Sequence, residues 1–148
     1  MDTGQLLHLV ETLPGLKLHF RGVFACDTLP ARVRQFPSAF VCNTDPIDEK
    51  GTHWVAYWFD NVNECEFYDS FGRLPQEYDA RLKDFIDRNA LLCLYNDVQV
   101  QPDSATSCGL HALFYLYCRV KGLSMTDVIR VTSEALVQDV ILKGNRIF

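Results

Sequence analysis

The sequence predicts a single domain of mixed helix and strand, on three observations. Two aromatic and β-branched runs near residues 53–68 form a hairpin pattern, an almost wholly apolar helix starts at Cys108, and an amphipathic helical stretch lies between them. The chain has 148 residues, 48% hydrophobic and 22% charged, which suffices to bury one continuous core, so one unit spanning 1–148 is expected. With 12% aromatic residues and no repeats or low-complexity tracts, enough apolar surface is available to offset the entropy of ordering.

The elements follow in order. Asp2 or Thr3 caps a first helix with Leu6, Leu7, Leu9, Val10 and Leu13 on its apolar face, and Pro14-Gly15 stops it. The stretch from Arg21-Gly22 through Leu29-Pro30 to Phe36-Pro37 reads as loop, because Gly and Pro punctuate it, and Ala39 to Cys42 reads as a short buried strand. His53 to Phe59 is a central strand closed by Asp60-Asn61, and Cys65 to Tyr68 returns beside it and ends in Asp69-Ser70-Phe71-Gly72. In an antiparallel pair, the residue opening one strand and the residue following the other share a sheet edge, so His53 and Asp69 are expected to be neighbours.

Pro75 to Asn89 places Leu82, Phe85 and Ile86 at helical spacing among charges and predicts one amphipathic helix. Leu91 to Tyr95 and Val98 to Gln101 read as strands, and Pro102 to Ser107 as a loop. From Cys108 the chain is apolar nearly all round until Gly122, which predicts a buried helix. Ser124 caps a further helix over about Asp127 to Leu136, and a last segment covers Gln138 to Leu142.

Composition excludes several classes of function. No stretch reaches the roughly 18 unbroken apolar residues of a membrane helix, and the start of the chain lacks the basic region of a secretory signal, so a soluble intracellular protein without membrane partners is expected. A net charge of −5 disfavours a mainly electrostatic grip on DNA; Arg32 and Arg34 read as solvated surface. Six cysteines in a reducing compartment are expected as free thiols, with Cys26, Cys42, Cys65 and Cys118 serving as small buried hydrophobes.

Cys108 differs from these because it stands at a helix start. There the partial positive charge of the helix end favours thiolate over thiol. Gly109 leaves room beside it for a substrate backbone, and the Cys108 amide points out of the helix end towards a developing oxyanion. Gln101, just upstream, supplies a side-chain amide as a second oxyanion donor. His53 accepts the thiol proton and returns it to the leaving group, with Asp69 holding its other ring nitrogen. Trp54 shields the His–Asp pair from water. Each residue alone has a plainer reading: a buried thiol, a strand-end histidine, a turn-forming aspartate, a polar glutamine. His111 reads as a core histidine. A zinc site from His53, Cys65 and Cys108 lacks the tight paired-ligand spacing such sites use, so no metal is expected.

Three stretches, Gly51-Thr52-His53-Trp54, Phe67-Tyr68-Asp69-Ser70-Phe71-Gly72 and Gln101-Pro102-Asp103-Ser104-Ala105-Thr106-Ser107-Cys108-Gly109, resemble the adenovirus protease (adenain) family in order and spacing. Asn43-Thr44 fits the same pattern, and the proteases of SUMO-like modifiers are broader fold relatives. The resemblance implies a thiol endopeptidase of papain-like, adenain-like α+β fold, its nucleophile on a central helix packed against a mixed sheet. It carries the catalytic roles to His53, Asp69, Gln101 and Cys108.

It further implies protein or peptide substrates, among them capsid precursors of a virus or virus-like DNA element, chemistry without a cofactor, and residence in host nucleus, cytoplasm or virion. An activating peptide or DNA is a family analogy, with Cys93 the nearest cysteine for capturing such a peptide. Adenoviral members commonly have Glu where Asp69 stands, are basic, and extend further beyond the nucleophile; Asp is normal in the SUMO-protease relatives. Two other readings use the same residues: an isopeptidase removing ubiquitin-like modifiers, and a catalytically idle peptide-binding domain.

Overall fold

The computed structural model describes residues 1–145, which form a mixed five-stranded sheet with helices on both faces. Helices α1 (Thr3–Glu11) and α2 (Leu16–His19) precede strands β1 (Phe20–Ala25), β2 (Ser38–Asn43), β3 (Trp54–Phe59) and β4 (Glu64–Tyr68). A 3-10 turn (Pro75–Glu77) leads to α3 (Ala80–Asp87), then β5 (Leu92–Tyr95), α4 (Cys108–Val120), α5 (Met125–Val131) and α6 (Glu134–Ile141). The strands lie in sequence order, parallel at β1/β2 and β4/β5 and antiparallel at β2/β3 and β3/β4.

The centre of the sheet is buried on both faces, and β3 shows why its sequence is apolar throughout. Alternate side chains of a strand point to opposite faces. Ala56 and Trp58 pack with Leu113, Phe114 and Leu116 of α4 and with Leu6 and Val10 of α1. Val55, Tyr57 and Phe59 pack with Leu82, Phe85 and Ile86 of α3. Fully burying one such side chain contributes about 1.5–3 kcal/mol. The hydroxyl of Tyr57 donates to Leu82 O at 2.9 Å, so this buried polar atom has a partner. At the far end of α4, Arg119 bonds Glu66 from Nε at 2.8 Å and Tyr115 donates to the same carboxylate, which fixes the helix across the sheet. Helix α4 is therefore held against the sheet at its far end, while its N-terminus meets the sheet edge.

Four expectations need correction. Residues 20–25 are a strand, not loop, preceded by the short α2: Gly22 marks a register shift in an edge strand rather than a turn. The stretch 75–89 is not one helix, because its chain is drawn in at Tyr78, whose hydroxyl bonds Asp69, and α3 restarts at the Asp79 cap. Val98 to Gln101 is not a strand: the N–H groups of Val100 and Gln101 converge on one acceptor, Ser70 O, at 2.9 and 3.0 Å, instead of forming a ladder. The helix read over 127–136 breaks at Thr132-Ser133, where Ser133 accepts from Leu136 N at 3.1 Å and starts α6.

Candidate active site

His53 immediately precedes β3 and Asp69 immediately follows β4, so the hairpin register sets both at one edge of the sheet. His53 Nε2 lies 2.6 Å from Asp69 Oδ1. Asn43-Thr44 fixes the backbone on the histidine side, with Thr44 N donating to His53 O at 2.9 Å and Asn43 paired with Trp54. The carboxylate is held more tightly still. Oδ1 also accepts from Phe71 N at 2.9 Å, Oδ2 accepts from the Tyr78 hydroxyl, and Asn96 grips the Asp69 backbone, its Oδ1 accepting from Asp69 N at 3.0 Å and its Nδ2 donating to Asp69 O. Gly72 closes this turn at φ 75°, a left-handed conformation that favours glycine, and a Cβ there would lie 2.8 Å from backbone atoms of Val98 and Gln99.

The rings of Phe71 (4.9 Å, stacked) and Tyr78 (5.8 Å, tilted) cover the imidazole. With Nε2 committed to Asp69, Nδ1 is buried and has no partner of ordinary hydrogen-bond geometry among the described residues. The Cys108 side chain lies close enough that each group shifts the other's titration. Burial acts to lower the His53 pKa, but Asp69 and Cys108 outweigh it and push it up to about 9. Burial likewise opposes the Cys108 thiolate, yet His53 and the backbone N–H groups of Trp54 and Gly109 hold the thiol below its ordinary range. For Asp69, burial raises the pKa and the bonds from His53, Tyr78 and Phe71 override it, keeping the carboxyl ionised. Both directions favour the charged forms, imidazolium and thiolate, over what each group alone would show.

Gln101 is buried and its amide orientation is forced. Nε2 donates to Ala105 O at 2.8 Å, which a carbonyl oxygen alone requires, and Oε1 accepts from Ser70 Oγ at 2.5 Å. The bond to Ala105 uses one of the two N–H groups of the amide, and Gln101 lines the cleft. That cleft, about 230 Å³, is lined by His53, Trp54, Phe71, Gln101, Thr106 and Cys108 among others. Three of the four residues singled out for chemistry therefore line one cavity, and the fourth, Asp69, bonds His53 from behind it. Around Gly109, a Cβ would meet Leu6 at 3.0 Å and Trp54 at 3.3 Å, so the space a side chain would need is filled by packing. The Trp54 indole lies on that side, donating to Met1 O at 3.0 Å, while Phe71 and Tyr78 cover the imidazole.

Sequence reasoning missed Ser70, Phe71, Tyr78 and Asn96 as individual participants. Ser70 and Phe71 lie inside the stretch already singled out for resemblance; Tyr78 and Asn96 carry no signal beyond helix and turn propensity. Among the described residues no group of three or more His, Cys, Asp or Glu is placed to hold a metal ion, and Cys65 faces the opposite side of the sheet among Phe67, Phe85 and Cys42.

A thiol at a helix start, facing an imidazole across the edge of a mixed sheet, defines an α+β domain of adenain-like fold. Residues 20–131 match the family described as adenovirus endoprotease, and the chain belongs to that family. It is 29% identical over 129 residues to the protease of Bovine adenovirus 4, covering 79% of this chain and 64% of the relative. It is 31% identical over 105 residues to the SUMO-1 cysteine protease of African swine fever virus, covering 63% and 38%. The fold is shared with a crystal structure of the African swine fever virus protease at TM-score 0.58 and 19% identity, over 89% of this chain and 62% of that one. The chain spans less than two thirds of the length of these relatives.

Proposed function

We propose that this chain is a cysteine-type endopeptidase in which Cys108 is the nucleophile, His53 the base and acid, Asp69 the group that orients His53, and Gln101 an oxyanion donor. One observation carries the reading: the imidazole bonds a buried carboxylate through Nε2 at 2.6 Å, Nδ1 makes no hydrogen bond of ordinary geometry among the described residues, and His53 lines one cleft with Cys108. In this mechanism the thiolate attacks the scissile carbonyl carbon and the carbonyl electrons move to oxygen, stabilised by the Cys108 amide and an N–H of Gln101. Collapse expels the amine, which takes the proton from His53. Water, deprotonated by His53, then hydrolyses the thioester and returns the thiol.

A second cavity of about 350 Å³ shares Met1, Gly51 and Trp54 with the cleft, and on this reading it would take the part of the peptide that extends beyond the cleft. The substrates on this reading are proteins, and the family resemblance extends the proposal to capsid precursors. The SUMO-1 protease relative favours a second reading, an isopeptidase that uses the same residues on a modifier conjugate. Profiling cleavage of a proteome-derived peptide library, beside ubiquitin-like conjugates and with and without added DNA, separates the two. Endopeptidase action predicts a reproducible cleavage motif that disappears with Cys108→Ala. Cleavage that survives this substitution, or no cleavage and no reactivity at Cys108, contradicts the assignment.

A further inference from the structure

A second carboxylate grips the start of α4 from outside the cleft. Ser107, the residue before Cys108, occupies the N-cap of the helix, where a serine hydroxyl ordinarily accepts from a backbone N–H of the first turn. Here it makes no such bond. Its Oγ instead donates towards Glu134, 2.8 Å from each carboxylate oxygen. His111, fully buried in the next turn, places Nε2 2.5 Å from Glu134 Oε1, and its Nδ1 is buried with no hydrogen-bond partner among the described residues. Nε2 is then the protonated nitrogen, because a proton on Nδ1 would have no acceptor.

Residues four apart lie on one helix face, and His111 N donates to Ser107 O at 3.0 Å to close that turn. Glu134 thus holds two points on a single face of the first turn, leaving Cys108 on the neighbouring face towards the cleft. The carboxylate belongs to the first turn of α6, where the helix dipole favours negative charge. It lies beyond the residues 20–131 that match the family.

We propose that Glu134, acting through Ser107 and His111, is a positioning residue for the nucleophile: it diverts the Ser107 hydroxyl from capping and so fixes the direction of the Cys108 amide at the oxyanion site. This rests on the peptidase reading above. Without the carboxylate, the Ser107 hydroxyl turns back onto the helix end and carries the Ala105–Ser107 loop with it. Acylation depends on the amide direction, whereas alkylation of the thiolate by a haloacetamide does not.

The test compares wild type, Glu134→Ala and Glu134→Gln by three measurements. With Glu134→Ala, kcat should fall roughly 10- to 100-fold with KM little changed, the scale expected when a reacting group is misplaced by about 1 Å. Alkylation of Cys108 by iodoacetamide should stay near the wild-type rate, and Glu134→Gln, which keeps an acceptor oxygen, should recover part of the loss. Amide hydrogen exchange should speed up for residues 105–109 and stay unchanged for residues 113–117. An unchanged kcat in an active enzyme, or uniformly faster exchange along α4 with alkylation and turnover lost together, overturns the proposal. Should wild type itself cleave nothing, the peptidase reading fails, and the exchange pattern alone still decides the clamp.

Discussion

His53 and His111 have nearly the same polar surroundings, and they behave oppositely. Each bonds a carboxylate through Nε2, at 2.6 and 2.5 Å, and each keeps a buried Nδ1 without a partner among the described residues. Yet the pKa of His53 is pushed up to about 9, while burial pulls that of His111 below its ordinary value in spite of Glu134. Two differences account for this. The Asp69 side chain is fully buried and accepts from three donors, so its charge is fixed and undiluted, whereas the Glu134 side chain is 26% exposed. Cys108 adds a second acidic partner at His53, and among the described residues only Glu134 plays that part at His111. A carboxylate partner alone therefore does not raise the pKa of a buried histidine; at His53 a better-held carboxylate and a second acidic group do.

The contrast can be broken most sharply by substituting the two histidines. His53→Ala should lower kcat/KM by roughly 10⁴- to 10⁶-fold, the range for removal of an obligatory member of a nucleophile–base unit. His111→Ala should lower it by no more than about 100-fold, through misplacement alone. Steady-state hydrolysis of one peptide substrate measures both, and equal losses would erase the distinction. Asp69→Asn keeps the shape but removes the charge and the preference for the productive tautomer, and should reduce kcat roughly 10³- to 10⁴-fold. In the same variant, the upper inflection of the pH profile should move below 9, since burial pulls the His53 pKa down and the bond to Asp69 does most to hold it up.

Gln101→Ala removes one oxyanion donor and should cost about 10²- to 10³-fold in kcat. Alkylation of Cys108 should be affected far less, which separates Gln101 from His53. The smallest effect is on stability. Gly72→Ala should cost about 1–3 kcal/mol in urea unfolding, from left-handed strain and the 2.8 Å approach to the 98–99 backbone. The pH dependence of folding follows the same groups. The stability contributed by Asp69 is present above 3.8 and is lost as pH falls through its lowered folded value; that of His53 is present below 6.5 and is lost as pH rises through about 9.

The sequence was most legible where one signal dominated. The aromatic and β-branched run of β3, the apolar run of α4 and the Ser124 cap each had a single strong cause, the first cap was narrowed to Asp2 or Thr3 and is Asp2, and the edge shared by His53 and Asp69 followed from the hairpin. The misread parts were those in which tertiary contacts override local preference. β1 is half-buried with Gly22 at an irregularity, and the 75–89 stretch is interrupted by a bond to Asp69 across the fold. Asn96 carries no local signature of its role, because gripping the Asp69 backbone joins segments far apart in sequence. His111 was legible as buried, but its carboxylate partner comes from α6 and has no local signature.

The rate of Cys108 alkylation by iodoacetamide as a function of pH, with the modified residue identified by mass spectrometry, tests the central claim most directly. A thiolate held by an imidazolium predicts substantial reactivity well below the ordinary thiol value of 9.0, a second inflection near 9 as His53 loses its proton, and loss of both features in His53→Ala. A single inflection at or above 9.0, unchanged by His53→Ala, would mean that sulfur and imidazole do not act as a pair.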